Sequence, residues 1–239
     1  MNLGAKTYDD PLFIKSVEKS ADFLEIMAIE GKDYTFLKEF SKPIVIHAQH
    51  EVFGLNTADP SKRAKNLSSI SYAIKMADMF KSKKVVLHPG RVDEENCSEE
   101  EAISFIKSIN DERILLENIC FPKSSLCLTP ENMAKVLKET GKGFCLDINH
   151  AIVAALSLNK DPYEFLEEFS KLNPQLYHLG GQDINENDKT HLSFKNSNLD
   201  LNKIFKIIPK NAEITLEVTT NANLTNYDLN FIRKFIGEK

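Results

Sequence analysis

The stretch Gly143-Phe144-Cys145-Leu146-Asp147-Ile148-Asn149-His150-Ala151 decides the fold. It is a short apolar run that ends at the carboxylate of Asp147, and the imidazole of His150 follows three residues later. Taken alone, such a pair is more often a helix cap and its hydrogen-bond partner than a functional site. The same design, a β-type run closed by a residue type that binds metals, recurs along the chain in order.

Length and composition favour a soluble enzyme-sized domain. The chain has 239 residues, of which 42% are hydrophobic and 27% charged. This length suits one α/β barrel, and we expect residues 1–239 to form a single domain. No apolar run approaches the roughly 18 residues of a membrane span, and the first residues lack the apolar core of a signal peptide. We therefore expect a cytoplasmic protein with no membrane partner.

The cysteines and the net charge limit the classes of protein to which the chain can belong. The four cysteines show no C-x-x-C pairing, which argues against a zinc ribbon and against a disulfide framework, so we interpret them as reduced thiols. The formal charge of −5 does not attract nucleic acid as a whole. A local basic groove could coexist with an acidic exterior, so the charge weakens a nucleic-acid function without excluding it.

Strand and helix patterns alternate along the whole chain. Helix signals such as Pro130 at a first helical position, Gly141 just past a helix end and Pro162 after Asp161 separate the β-type runs. The eight predicted strands are residues 3–6, 21–28, 43–47, 84–88, 113–117, the opening stretch, 175–178 and 213–217. Nearly continuous apolar strands alternating with helices indicate a parallel sheet covered by helices. We predict an α/β fold, a (β/α)8 TIM barrel. A doubly wound open sheet is the alternative, but no Gly-rich phosphate turn follows the first strand.

Six consecutive predicted strands, the third to the eighth, end in a histidine or a carboxylate. In a barrel, the C-terminal ends of the strands surround one mouth, where active sites are built. An imidazole and carboxylate set without cysteine suits zinc, manganese, iron or cobalt. One such residue alone would be a cap or an ion-pair partner, but six in register predict a metal site. The six are His47, His88, Glu117, Asp147, His178 and Glu217.

Other residues are candidates of a second rank. His150 could face a further metal ion or hydrogen-bond a substrate, and His191 lies in a polar loop, residues 179–198, that is too long for a simple connection. Glu25 ends the second strand and could be an outer hydrogen-bond partner of a ligand. We interpret His50 as a surface or outer-sphere residue.

The order of these motifs resembles the endonuclease IV group (AP endonuclease family 2) of the xylose isomerase-like TIM barrels. The resemblance runs from about His47 to Glu217 and is carried by His47-Ala48, His88-Pro89-Gly90, Glu117-Asn118, Leu146 to Ala151, His178-Leu179, His191 and Leu216-Glu217. Glu117, Asp147, His178 and Glu217 match ligands that sugar isomerases and epimerases share with the nucleases. His47, His88 and His191 are the more nuclease-like residues.

The resemblance implies a centre of one to three divalent ions, with zinc as the first choice and manganese as the second. One ion would be bound by His47, His88 and Glu117, and a second by Glu117, Asp147, His178 and Glu217. A third would be bound by His150 and His191. The sequence departs from the nuclease pattern at Lys189, where an aspartate ligand is expected, and Asp188 or Asp183 could substitute.

Two enzyme functions follow from the resemblance. The first is metal-assisted hydrolysis of phosphodiester bonds in DNA with a damaged, abasic site. Phe53 and Leu55 would then be candidate wedges, and Arg63, Arg91 and Lys189 candidate phosphate contacts. The alternative is a single-metal isomerase or epimerase of a small sugar or sugar phosphate, in which Glu117 and Glu217 act as catalytic acid and base. A barrel that binds metal without turnover is a third, less favoured hypothesis.

Overall fold

The computed structural model of the protein describes residues 1–92, 95–120, 125–186, 189–218 and 221–237. Eight parallel strands pair in chain order, and the last strand pairs with the first, so the barrel is closed as predicted. The strands are β1 Asn2–Thr7, β2 Phe23–Ala28, β3 Ile44–Ala48, β4 Val85–Leu87, β5 Ile114–Glu117, β6 Gly143–Asp147, β7 Leu176–Leu179 and β8 Glu213–Leu216. This confirms the (β/α)8 TIM barrel.

Helices cover the outside of the barrel. They are α1 Pro11–Val17, α2 Arg63–Met79, α3 Glu99–Ser108, α4 Pro130–Thr140, α5 Ile148–Ser157, α6 Pro162–Ser170, α7 Leu201–Ile207 and α8 Ala222–Phe235. Their ends follow the sequence signals: Thr129 caps α4, whose last turn closes on the left-handed Gly141. In the described residues, no helix is both long and apolar enough to cross a bilayer.

Two connections differ from a simple strand and helix alternation. Between β2 and β3 the chain forms only a 3-10 turn, Thr35–Glu39. After β6 there are two helices, and the first of them, α5, was not predicted from the sequence. The reason is that α5 is almost wholly apolar and buried, so it lacks the one-sided periodicity by which surface helices are identified.

The barrel interior consists of an apolar layer below a polar layer. Six buried residues on β2 to β7 form a cluster separate from the main core: Phe23, Val45, Val86, Leu115, Cys145 and Leu176. Residues two apart on a strand point to the same face, so the next inward residues lie one layer nearer the C-terminal mouth. These are Glu25, His47, His88, Glu117, Asp147 and His178. The apolar layer therefore supports the polar layer from below.

Candidate metal centre

Every strand contributes one polar residue to the mouth. The same two-residue step places Lys6 after Gly4 on β1 and Glu217 after Thr215 at the end of β8. The layer thus contains four carboxylates, three imidazoles and one ammonium group. Most of these side chains are fully buried: the most exposed, Glu217, has a side chain 23% exposed, and those of His88 and Lys6 are each 8% exposed.

Among the described residues, five groups of possible ligands overlap at this mouth, and the ligands predicted from the sequence form three of them. His47, His88 and Glu117 form the first, Glu117, Asp147, His178 and Glu217 the second, and Asp147, His150 and His191 the third. Within each group the ligand atoms lie within 4.8 Å of one another. Glu117 belongs to the first two groups and Asp147 to the last two. The structure therefore brings together all eight residues predicted as ligands.

Distances around Glu117 show how tightly the first two groups join. Its Oε2 lies 3.1 Å from His47 Nε2 and 3.3 Å from His88 Nε2, and its Oε1 lies 3.5 Å from His178 Nδ1. The same His178 nitrogen is 3.2 Å from Glu217 Oε2. The Glu117 carboxylate can thus belong to both groups, with Oε2 in the first group and Oε1 in the second.

Hydrogen bonds fix one nitrogen of each histidine ring and leave the other to face the mouth. His47 Nδ1 is 2.7 Å from the carbonyl oxygen of Ala48, and His178 Nε2 is 2.9 Å from Glu25 Oε2. His88 Nδ1 is 3.0 Å from Glu51 Oε2. Metal-binding histidines are commonly oriented in this way by an outer partner on the second nitrogen. Glu25 lies where an outer hydrogen-bond partner was predicted.

In both histidines of the third group Nδ1 is again the nitrogen with a backbone contact, although His150 Nδ1 also lies 3.4 Å from Glu117 Oε1 and 3.8 Å from Asp147 Oδ2. His150 Nδ1 lies 2.9 Å from the carbonyl oxygen of Asn118, and His191 Nδ1 lies 3.1 Å from that of Glu217. Their rings meet edge to face with centroids 5.3 Å apart. The backbone contacts of His150 and His191 are therefore made by Nδ1 and not by Nε2.

Unpaired buried atoms fit a bound cation. Glu117 Oε1, Asp147 Oδ2 and His178 Nδ1 are buried and have no hydrogen-bond partner, although they point at one another. An unpaired buried polar atom costs about 1–3 kcal/mol, so a native centre is expected to satisfy such atoms. Nitrogen and carboxylate oxygen donors in this number suit zinc or manganese. The residues present fit divalent metal ions.

Electrostatics in the mouth keep the carboxylates charged. Burial alone would raise the pKa of Glu117, but the imidazoles of His178 and His88 hold it well below its usual range. Burial and the nearby ammonium of Lys6 lower the pKa of His47 to about 4, so its ring is neutral. Despite burial, neighbouring acidic groups raise the pKa of His88 to about 9 and those of His178 and His150 well above the usual value, so an ion bound there would displace protons from these rings.

Asp147 has two structural roles at once. Its Oδ1 accepts a hydrogen bond from the backbone amide of His150, 2.7 Å away, and so caps α5. Its Oδ2 is the unpaired atom that faces the mouth. The side chain of Asn118 holds the backbone of Asp147 from the neighbouring strand, with both hydrogen bonds at 2.8 Å. The cap and the ligand interpretations of Asp147 are therefore compatible.

In the loop after β7, two glycines allow the close packing that places His191 at the mouth. A Cβ on Gly180 would lie 2.5 Å from the carbonyl oxygen of Glu217, and one on Gly181 would lie 2.7 Å from that of Ser193. Only glycine allows this approach. His191 itself has a left-handed backbone, with φ of 53°.

Neither Lys189 nor Asp183 replaces the missing aspartate in the third group. The Lys189 ammonium lies 2.8 Å from Glu186, on the outside of the loop. Asp183 accepts hydrogen bonds from Asn198 and from the amide of Asn185, also away from the mouth. Asp188 lies outside the described residues. Asp147 supplies the carboxylate of this group instead.

The side chains considered for DNA contact differ in their exposure and in their partners. Leu55 is only 8% exposed and packs inward, so the structure does not place it as a wedge. Phe53 is half-buried against His50, while its neighbour Val52 is 78% exposed. Arg63 pairs with Glu101, and Arg91 is half-buried where its segment bridges Ser125. None of these residues joins the three ligand groups.

Sequence reasoning missed three neighbours of the centre. Lys6 could have been found from its position two residues after Gly4 in the first strand. Glu51 has no sequence signal of its own beyond its position next to His50. In the structure the His50 ring stacks on His88 with centroids 4.5 Å apart. Cys145 lies below the centre beside Glu117 and His178, although the ligand set was expected to lack cysteine. Burial raises the pKa of the Cys145 thiol to about 12, which keeps it protonated.

The fold and the site define a class: a closed (β/α)8 barrel with a candidate metal centre at its C-terminal mouth. The chain belongs to the xylose isomerase-like TIM barrel family, whose sequence model matches residues 32–235. A protein of unknown function from Methanocaldococcus jannaschii is 27% identical over 217 residues, which cover 80% of this chain and 72% of the relative.

Solved structures with this fold have different activities. Endonuclease IV from Thermus thermophilus superimposes with a TM-score of 0.76 at 16% identity, covering 99% of both chains. A D-tagatose 3-epimerase-like protein superimposes with a TM-score of 0.74 at 21% identity, covering 99% of this chain and 97% of the other. The IolI protein, solved with a bound zinc atom, has a TM-score of 0.69 at 15% identity, covering 99% and 96%. These likenesses establish the fold alone.

Proposed function

We propose that the protein is a divalent-metal-dependent hydrolase of phosphodiester bonds, with DNA containing an abasic site as its substrate. The observation that carries this proposal is the overlap of three ligand groups through Glu117 and Asp147. Two or three ions a few ångströms apart are typical of phosphodiester hydrolysis, whereas the alternative isomerase would use one ion. His47, His88, His150 and His191 would be superfluous as ligands for a single ion.

Zinc is the proposed ion, and manganese is the second choice. Bound there, such ions would lower the pKa of a water molecule and neutralise the charge of the phosphodiester. The chain's own part is to hold the centre rigid: Glu117 joins the first two groups, Asp147 joins the last two, and outer partners orient each imidazole. The apolar layer beneath excludes water from the lower barrel.

The site in the mouth could receive a strand end or a splayed nucleotide next to the loop that follows β3. Val52 and Phe53 are the apolar side chains on that loop that reach towards solvent, and they are the proposed contacts with an opened base step. Leu55 is excluded from this role by its burial. The overall charge of −5 requires that any contact with phosphates be local.

A second candidate function is a single-metal isomerase or epimerase of a sugar or sugar phosphate. It is favoured by one specific arrangement: Glu117 and Glu217 both approach His178 Nδ1, at 3.5 and 3.2 Å. Two carboxylates that flank one ion site are suitably placed to take a proton from one carbon and return it. Lys189 also fits this alternative, because the nuclease pattern has an aspartate ligand at that position.

The experiment compares both reactions on the same metal-loaded protein. The purified chain is saturated with zinc, or in parallel with manganese, and incubated with a duplex oligonucleotide that carries one abasic site, and separately with a panel of ketoses. We expect strand cleavage beside the abasic site, abolished by Glu117→Gln, and no ketose conversion. Ketose conversion without cleavage by the fully loaded protein would replace the first proposal with the second.

A further inference from the structure

Lys6 is the one ammonium group in the polar layer of the mouth. Its Nζ lies 2.8 Å from Glu217 Oε2, and its side chain is 8% exposed. Lys6 reaches this position because β1 places it two residues above Gly4, whose missing side chain makes room for the ring of Phe23. The resemblance to the endonuclease IV group assigns no role to this residue.

The surroundings of Lys6 are anionic and poor in water. Besides Glu217, whose side chain is 23% exposed, the carboxylates of Glu117 and Glu25 lie near enough to act on the ammonium electrostatically, and both of these are fully buried in the barrel. A buried lysine is retained only when such charges compensate for the loss of hydration. Lys6 therefore holds a permanent positive charge inside the region that the second ligand group offers to a metal ion.

Glu217 is shared between these two cations. The oxygen that contacts Lys6 is the same oxygen that lies 3.2 Å from His178 Nδ1, so it faces the second group. Two positive charges that compete for one carboxylate oxygen repel each other, and little water is present to screen them. The first and third groups do not include Glu217.

We propose that Lys6 is a resident cation of the metal centre that shares Glu217 with the ion of the second group and keeps that ion exchangeable. The centre then contains one weakly held ion beside more firmly held ones, and its loading follows the concentration of free metal. The inference rests on the proposed metal centre, which both candidate reactions need, and not on the choice between them.

Charge-neutral variants test this role directly. Lys6→Met removes the charge with similar volume, and Lys6→Gln removes it while keeping a hydrogen-bond donor for Glu217, should the methionine variant fold poorly. Lys6→Arg keeps the charge. The matched control is Lys84→Met, because Lys84 pairs with Glu213 at the opposite end of the same strand, β8. Metal-free protein is titrated with zinc against a chromophoric chelator, which measures the number and affinity of bound ions without an activity assay.

We expect the weakest zinc ion to bind at least about tenfold more tightly in Lys6→Met and Lys6→Gln than in the wild type. Lys6→Arg and Lys84→Met should keep the wild-type affinities. Unchanged or weakened binding in both neutral variants would overturn the proposal and make Lys6 a support for the position of Glu217. Because the readout is zinc binding, this result is independent of oligonucleotide cleavage, whose absence would count against the proposed hydrolase instead.

Discussion

The imidazole of His178 is bound from behind by Glu25: His178 Nε2 lies 2.9 Å from Glu25 Oε2, and both side chains are fully buried. Thr215 donates a hydrogen bond of 2.6 Å to the same carboxylate oxygen. A proton on Nε2 leaves Nδ1 as the lone-pair nitrogen that faces Glu117 and Glu217. The pair thus sets the tautomer and the direction of a ligand that belongs to the second group.

Glu25→Gln should weaken metal binding while leaving the barrel intact. The amide keeps the shape of the side chain but loses the charge that orients the His178 ring. The loss of such an outer partner typically lowers metal affinity by about 10- to 100-fold. Zinc titration of the metal-free variant measures this effect, and Glu213→Gln, at the other end of the barrel, is the control. An unchanged affinity would mean that Glu25 does not orient a ligand.

Two substitutions of Asp147 separate its roles as cap and as ligand. Asp147→Asn keeps a good helix cap for α5, so thermal stability of the metal-free protein should not fall. Asp147→Ala also loses the cap, at a cost of about 1 kcal/mol. Both variants should lose zinc from the second and third groups. Calorimetry and zinc analysis of the two variants, side by side, check this. Full zinc content in Asp147→Asn would contradict the ligand role.

His191→Asn tests the third group with little strain, because asparagine tolerates the left-handed backbone of this position better than alanine does. We expect the variant to lose one zinc equivalent and to cleave abasic DNA at least about 10-fold more slowly. If the protein is a single-metal isomerase, the zinc content stays unchanged. Zinc analysis and a cleavage time course distinguish these results.

The loop that carries His191 is anchored at Asp228, and this anchor predicts a pH effect on stability. Asp228 accepts hydrogen bonds from Ser193 Oγ at 2.9 Å and from the amide of Phe194 at 3.0 Å. Burial raises the pKa of Asp228 despite these bonds. A raised pKa means that the folded state binds the proton more tightly, so this contribution to stability is present below the unfolded pKa and is lost as pH rises through the folded pKa.

Asp228→Asn should therefore be more favourable relative to the wild type at pH 7 than at pH 4. The asparagine oxygen can accept both hydrogen bonds at either pH and carries no charge. Urea unfolding of both proteins at the two pH values gives the difference in the free energy of unfolding. A difference that is equal at both pH values, or larger at pH 4, would show that Asp228 is not destabilised by its charge.

The barrel and the meeting of the candidate ligands at one mouth could be predicted from the sequence because both depend on local order. Each strand is a short apolar run, and a parallel barrel brings all strand ends to one mouth, so His47, His88, Glu117, Asp147, His178 and Glu217 could be placed without knowing any distance. The helix α5 was missed because its apolar residues surround the whole helix. Burial on all sides removes the periodicity on which the prediction depends.

The rest of the site depends on contacts between distant segments. Lys6 and Glu217 meet only because β1 and β8 close the barrel. The contact of Glu51 with His88 depends on the path of a loop, and the sharing of Asp147 by the third group depends on how the His191 loop packs on Gly180 and Gly181. No residue pattern along the chain indicates these contacts.

Counting the ions bound to one chain tests the central claim most directly. The metal-free protein is equilibrated with zinc at rising free concentrations until the weakest site is saturated, and native mass spectrometry then counts the ions on each folded chain. We predict about two or three zinc ions per chain, in keeping with the overlapping groups around Glu117 and Asp147. A single ion on the fully folded wild-type chain would contradict the hydrolase and would support the isomerase in its place.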